Sequence, residues 1–157
     1  MLEPIEIEKS KVEKEPYLKW NAFIELIARD PDKLNDIQGV AHFAWMYDSE
    51  VQNGGHLQYF ENIFNIYKGK ENIVVSATLE ALKIIGAKKQ YKILSAASKR
   101  YFSKEKLHPS TVEEFVDEEL EGEFEKLDNR YYDCEPDMNN FLEKYLQTHL
   151  SEFVKLV

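Results

Sequence analysis

The sequence has a single cysteine, Cys134, so it cannot form a disulfide within the chain. This count excludes the disulfide scaffolds of small secreted domains. Six glycines and five prolines are too few for a sandwich of many short strands and turns. No window approaches the run of about 18 apolar residues that a transmembrane helix needs, and acids stand where a signal peptide has a basic start. These absences predict a cytoplasmic protein that does not contact membranes.

Basic residues are scarce in one segment. Residues 113–137 contain twelve Asp and Glu side chains and only two basic ones, Lys126 and Arg130, so the segment carries a net charge of −10. The whole chain carries −9, which leaves +1 for the other 132 residues. A nucleic-acid ligand is disfavoured, because binding to phosphates requires a basic face. By the same argument a basic protein partner is favoured.

Apolar residues recur at three- and four-residue spacing along most of the chain, which predicts an all-α, single-domain bundle of six or seven helices. Residues 1–15 are predicted to form a flexible N-terminal arm, in preference to a short strand at Ile5–Ile7, and residues 16–157 the helical domain. Ser110 and Glu113 form a capping-box pattern at the start of the acidic helix. The predicted helices cover about 16–27, 33–51, 56–67, 73–85, 88–102, 110–132 and 137–154.

Two adjacent glycines separate the second and third predicted helices. Asn and Gly tolerate a positive φ at little cost, so Asn53-Gly54-Gly55 predicts a tight left-handed turn that ends one helix and begins the next. Glu50 and Gln58 are polar residues among apolar neighbours on either side of this turn. They indicate either a small-ligand pocket completed by Tyr59, or a buried hydrogen-bond network with Asn53 that sets the angle between the helices. The second interpretation is favoured because buried polar groups must be paired.

Metal and catalytic chemistry receive little support from the sequence. His42, Asp48, Glu50 and His56 could be assembled into a metal site, but no His-x-x-x-His or Glu-x-x-His pair lies on one helix face. Cys134 stands between two acids, which disfavours a thiolate. We therefore predict no metal, no cofactor and no catalytic residue.

The run Ser49-Glu50-Val51-x-Asn53-Gly54-Gly55-x-x-Gln58-Tyr59-Phe60-x-Asn62 resembles the bacterial DNA-mimic-protein family. The segments 79–87 and 127–132 agree with that family's pattern, and the similarity covers about residues 34–150. His56 departs from it, because the family usually has an aromatic residue such as Phe there. The resemblance implies an all-helical fold, frequent homodimers and no catalytic residues. The structural residues that it marks are Glu50, Asn53, Gly54, Gly55, Gln58, Tyr59, Phe60 and Asn62.

For the characterised branch, the resemblance implies an acidic surface that imitates DNA and occupies the DNA-binding face of a regulator. The spacing of four, three, four and three residues from Glu114 to Asp128 places five acids in a single helical stripe. We predict that this face binds a basic partner, whereas a merely solvated acidic face is the alternative. The predicted contact residues are Glu114, Asp117, Glu118, Glu121, Glu125 and Asp128.

Two other functions stay open at this point. The same acidic face suits an immunity or antitoxin-like inhibitor of a nuclease, and a neighbouring toxin gene would favour that role. A small-ligand-binding helical domain is the third hypothesis, with its pocket at the polar residues near the turn.

Overall fold

The computed structural model describes the backbone of residues 1–107 and 113–157, and the side chains of residues 1–103, 122 and 124–157. This part of the chain is an all-α bundle of eight α-helices, which confirms the predicted fold class, with two short strands, β1 and β2, near its ends. The elements are β1 (Ile5–Ile7), α1 (Lys9–Lys14), α2 (Leu18–Ile27), a 3₁₀ turn (Pro31–Lys33), α3 (Asp36–Ile66), α4 (Glu71–Ile85), α5 (Lys88–Leu107), α6 (Glu113–Tyr132), α7 (Met138–Thr148), α8 (Leu150–Phe153) and β2 (Val154–Leu156).

The helix boundaries differ from the predicted ones in four places, one of which is that α5 continues to Leu107 and not to residue 102. The predicted helices 33–51 and 56–67 are one kinked helix, α3, and the predicted helix 137–154 is divided into α7, α8 and β2. Helix α1 was not predicted, because it has six residues and buries only Val12, which is too little for a periodic apolar stripe. The predicted capping box depends on Ser110, which lies outside the described residues.

Helix α3 is the central element and packs against α2, α4, α6 and α7. It begins at a capping box, in which the Gln38 backbone N–H donates to the Asn35 side chain (2.8 Å) and the Asn35 N–H to the Gln38 side chain (3.1 Å). Near its other end, the buried ring of Phe60 stacks on Tyr101 (4.4 Å between centroids) and Phe124 (5.6 Å). These contacts join α3 to α5 and α6 in one aromatic core.

The two ends of the chain meet in a parallel pair of strands, with Ile5 opposite Val154 and Ile7 opposite Leu156. The fully buried Gln38 supports this pair by donating from Nε2 to the carbonyl of Glu152 (2.8 Å) and to that of Leu2 (3.3 Å). The preference for a frayed arm over a strand at Ile5–Ile7 is therefore wrong. A three-residue strand is too short to show alternation, and its partner lies 149 positions away.

No helix in the described ranges combines the length and the apolar character needed to span a bilayer.

His42 is a core residue that connects α3 to the end of α2. Its Nδ1–H donates to the carbonyl of Ile27 (2.6 Å), and only 6% of the residue is exposed. Its Nε2 is buried and has no hydrogen-bond partner in the described part of the chain. Burial lowers the pKa of His42 below its usual value, because the charged ring would lose its hydration. The fold therefore holds this histidine in its neutral form.

This burial makes stability depend on pH. Above pH 6.5 or so His42 is neutral in both states, whereas below it the unfolded chain binds a proton that the folded chain resists. We expect the free energy of unfolding to fall as the pH decreases from about 6.5 toward the lowered pKa, by at most about 1.4 kcal/mol per pH unit for one proton.

The measurement is urea unfolding at pH 7.5 and 5.5 of the wild type and of His42→Asn, whose amide can still donate to Ile27 but does not titrate. The wild type should lose more stability than the variant between the two pH values. Asp48, whose pKa burial raises, contributes equally to both proteins and cancels in the comparison. Equal losses would show that His42 does not resist protonation.

Candidate partner-binding helix and its anchor

The Asn-Gly-Gly segment kinks α3 without ending it. Gly54 (φ −158°, ψ 18°) and Gly55 (φ 78°, ψ −177°) leave the helical region, and helix resumes after them. Only Gly55 has a positive φ here, and its combination with an extended ψ is a region that glycine alone occupies readily. The predicted left-handed turn between two helices is therefore wrong in detail, because the left-handed α conformation is not formed and Asn53 keeps a negative φ.

Gly55 also leaves room for a side chain of α6. A Cβ on residue 55 would lie 2.9 Å from Cγ of Asp128, which is closer than real Cβ atoms approach a neighbouring atom. The nearer carboxylate oxygen of Asp128 would be closer still. The missing side chain thus allows the Asp128 carboxylate to reach the backbone of the kink.

Asp128 uses this access to accept two hydrogen bonds from His56. One comes from the backbone N–H (2.9 Å) and the other from the ring Nδ1 (2.5 Å), both to Oδ1. His56 is fully buried, and 19% of the Asp128 side chain is exposed. The hydroxyl of Tyr47 hydrogen-bonds to Nε2 of the same ring (2.6 Å), so both ring nitrogens have a partner.

Two further side chains of α6 hold the same region of α3. Tyr131 donates to Asp48 (2.7 Å), and Tyr132 donates to the carbonyl of Val51 (2.8 Å). Burial raises the pKa of Tyr131 well above its usual value, which keeps its hydroxyl protonated as a donor. We use the term α3–α6 anchor for the hydrogen bonds that Asp128, Tyr131 and Tyr132 make to His56, Asp48 and Val51.

The predicted polar network forms, but Asn62 takes the place of Asn53 in it. The Glu50 carboxylate accepts from Gln58 (3.0 Å) and from Asn62 (2.5 Å), and all three side chains are half-buried. Asn53 is exposed, so its predicted burial is wrong. Tyr59 is buried and donates to Thr78 (3.0 Å). Because these side chains are bonded to protein groups, the arrangement argues against a small-ligand pocket lined by Glu50, Gln58 and Tyr59.

The predicted contact residues all belong to α6, but only two have described side chains. Glu125 is exposed, whereas Asp128 lies in the α3–α6 anchor. The side chains of Glu114, Asp117, Glu118 and Glu121 lie outside the described residues. Partner binding by this set stays a prediction.

Among the described side chains, no three His, Cys, Asp or Glu groups lie close enough together to hold a metal ion. Cys134 is buried, its thiol donates to the carbonyl of Arg130 (3.3 Å), and burial raises its pKa. This environment disfavours the reactive thiolate, in agreement with the acidic neighbours seen in the sequence.

The sequence does not predict the pairing of His56 with Asp128. From the sequence alone, the histidine is a departure from the family pattern and the aspartate belongs to the acidic surface. One signal was available, because both residues lie inside segments that resemble the family. Two such segments far apart in the chain are candidates for contact, since buried polar groups need partners.

Comparison with known proteins identifies one family. A family model described as DMP19-like protein matches residues 32–149. No curated protein matches, and no solved structure does. The matched range includes the kink and every residue of the α3–α6 anchor.

The close approach of Asp128 to Gly55 predicts that the cost of an alanine substitution depends strongly on its position within α3. Gly55→Ala should lower the free energy of unfolding by about 2 kcal/mol or more, because it combines an unfavourable φ with a clash against Asp128. Gly39→Ala is the matched control on α3, since nothing lies within 4 Å of its added Cβ. It should be neutral or stabilising by about 0.5–1 kcal/mol. Urea unfolding measures both, and similar effects at the two positions would contradict the packing described for the kink.

Proposed function

The chain belongs to the DMP19-like protein family, a DNA-mimic family, and we propose that it is a non-enzymatic module that binds a basic protein. Its acidic helix would occupy the nucleic-acid-binding face of that partner, for which a transcriptional regulator is the first candidate. Family membership supports the general role. The observation that carries the assignment to α6 is the concentration of charge, because nine of the twelve acids of residues 113–137 lie within this helix against two basic residues.

The charge distribution supports a basic partner over a nucleic acid. With −10 in one segment and +1 in the rest of the chain, the acidic segment dominates the long-range field. Such a field attracts a basic face and accelerates encounter, and it repels phosphates. Binding should therefore weaken as salt screens the charges.

The helical spacing suits imitation of a phosphate backbone. Residues three and four apart on a helix have Cβ atoms about 5–6 Å apart. Phosphates of one DNA strand advance about 3.4 Å along the axis per nucleotide and lie somewhat farther apart through space. A row of carboxylates at Glu114, Glu118, Glu121 and Glu125 would thus be an adequate substitute for a row of phosphates.

The α3–α6 anchor supports a positioning role for the C-terminal part of α6. Its hydrogen bonds attach the helix to the buried kink of α3, and a surface built on a rigid element loses less freedom when it binds. In this proposal Glu114, Asp117, Glu118, Glu121 and Glu125 contact the partner, while Asp128 orients the helix that presents them.

Charge reversal on α6 tests the proposal. The tagged wild type should capture a basic protein from a lysate of the host at low salt and release it at high salt or when duplex DNA is added. Glu118→Lys with Glu125→Lys should weaken capture at least about tenfold, because two attractive contacts become repulsive. The identity of the captured protein separates the roles, since a nuclease would indicate the inhibitor and a transcription factor the regulator-binding mimic.

The matched control changes the net charge equally but elsewhere. Glu13→Lys with Glu143→Lys alters two exposed acids on α1 and α7 and should leave capture unchanged. Undiminished capture by the α6 variant, or equal loss in both variants, would contradict binding through the acidic helix.

A further inference from the structure

A groove between α5 and α6 is distinct from the acidic stripe. Its volume is about 660 Å³, within the range of small-molecule sites. Ala96 and Leu127 contribute apolar surface, and the other described lining residues are four cations and one serine. These are Lys99, Arg100, Ser103, Lys126 and Arg130.

The concentration of cations is unusual for this chain. Residues 113–137 have only two basic side chains, and both line this groove. Lys126 and Arg130 are four residues apart on α6, so they lie on one face about 6 Å apart along the axis. Neither makes an ion pair with another residue whose side chain is described. Glu125, although adjacent in sequence, is displaced by about 100° around the helix from Lys126.

The walls of the groove offer charge and aliphatic contact but little else. Lys and Arg side chains present methylene stems below their charged ends. The backbone groups within α5 and α6 are used by the helices themselves. The hydroxyl of Ser103 donates to the carbonyl of Arg100 (2.9 Å). No described lining residue is aromatic, so the groove lacks the stacking surface that nucleobases prefer.

We propose that this groove binds an aliphatic anion, with a compact carboxylate or phosphate head between the cations and an alkyl chain along Ala96 and Leu127. The charge of the rim selects the head, and the apolar floor selects the chain. A nucleotide would leave its base without stacking partners, and an extended peptide would leave its backbone unpaired. This site is independent of the proposed protein-binding role.

Calorimetric titration of the full chain with octanoate tests the proposal, and octyl phosphate distinguishes the two head groups. Binding of octanoate should be saturable, and it should shift the methyl NMR signals of Ala96 and Leu127. Lys126→Gln with Arg130→Gln removes both charges but keeps polar side chains with two methylene groups each, and it should lower the octanoate affinity about tenfold. Circular dichroism confirms that the variant is folded. A control with the same charge change, Lys68→Gln with Lys144→Gln, alters exposed lysines outside the groove and should bind as the wild type does.

Three further probes separate the contributions of head and chain. Acetate has only the charged head, and octan-1-ol has only the alkyl chain. Neither should saturate the groove at concentrations at which octanoate saturates it. Polyglutamate represents an acidic polypeptide. The proposal is wrong if octanoate does not bind, if acetate or polyglutamate binds as tightly as octanoate, or if the control variant loses affinity to the same extent as the groove variant.

Discussion

The carboxylate of Asp128 lies in the space that a side chain on residue 55 would occupy, and much of the structure depends on this contact. It requires glycine at the kink of α3, and it requires a hydrogen-bond donor at the next position, which His56 provides twice. The imidazole also reaches Tyr47, so a carboxylate on the α3-facing side of α6 is connected to the aromatic core. The kink and the acidic helix are therefore two sides of one interface.

This interface explains how a helix with so many like charges can form in the folded protein. Each like-charged pair at three- or four-residue spacing costs about 0.2–0.5 kcal/mol, so the four steps of the predicted stripe cost about 1–2 kcal/mol. Burial of one large apolar side chain offsets that sum, since it contributes about 1.5–3 kcal/mol. Helix α6 buries both Phe124 and Tyr131 and adds the anchor bonds. Tertiary packing, and not helix propensity, decides the outcome.

The sequence predicted the features that local patterns encode. The 3.6-residue period identified the helices, and the family-like segments identified the position of the kink. It did not predict the pairing of β1 with β2 or of His56 with Asp128, since these contacts join residues 149 and 72 positions apart. It also assigned Asp128 by its charge and spacing, although burial depends on the orientation of α6 against α3. In the sequence, Lys126 and Arg130 are only the two basic residues of an acidic segment. The groove could not be predicted from them, because Lys99 joins them only through the packing of α5 on α6.

The central claim is that Asp128 and His56 hold α6 on the kinked helix as an energetically coupled pair. A double-mutant cycle of His56→Phe and Asp128→Ala tests it most directly, with the free energy of unfolding measured in urea for all four proteins. The loss of the Tyr47 bond is common to both His56→Phe proteins and cancels. We expect a coupling energy of about 1–3 kcal/mol. Additive effects, within about 0.5 kcal/mol, would show that the two side chains are neighbours without a shared stabilising interaction and would contradict the account.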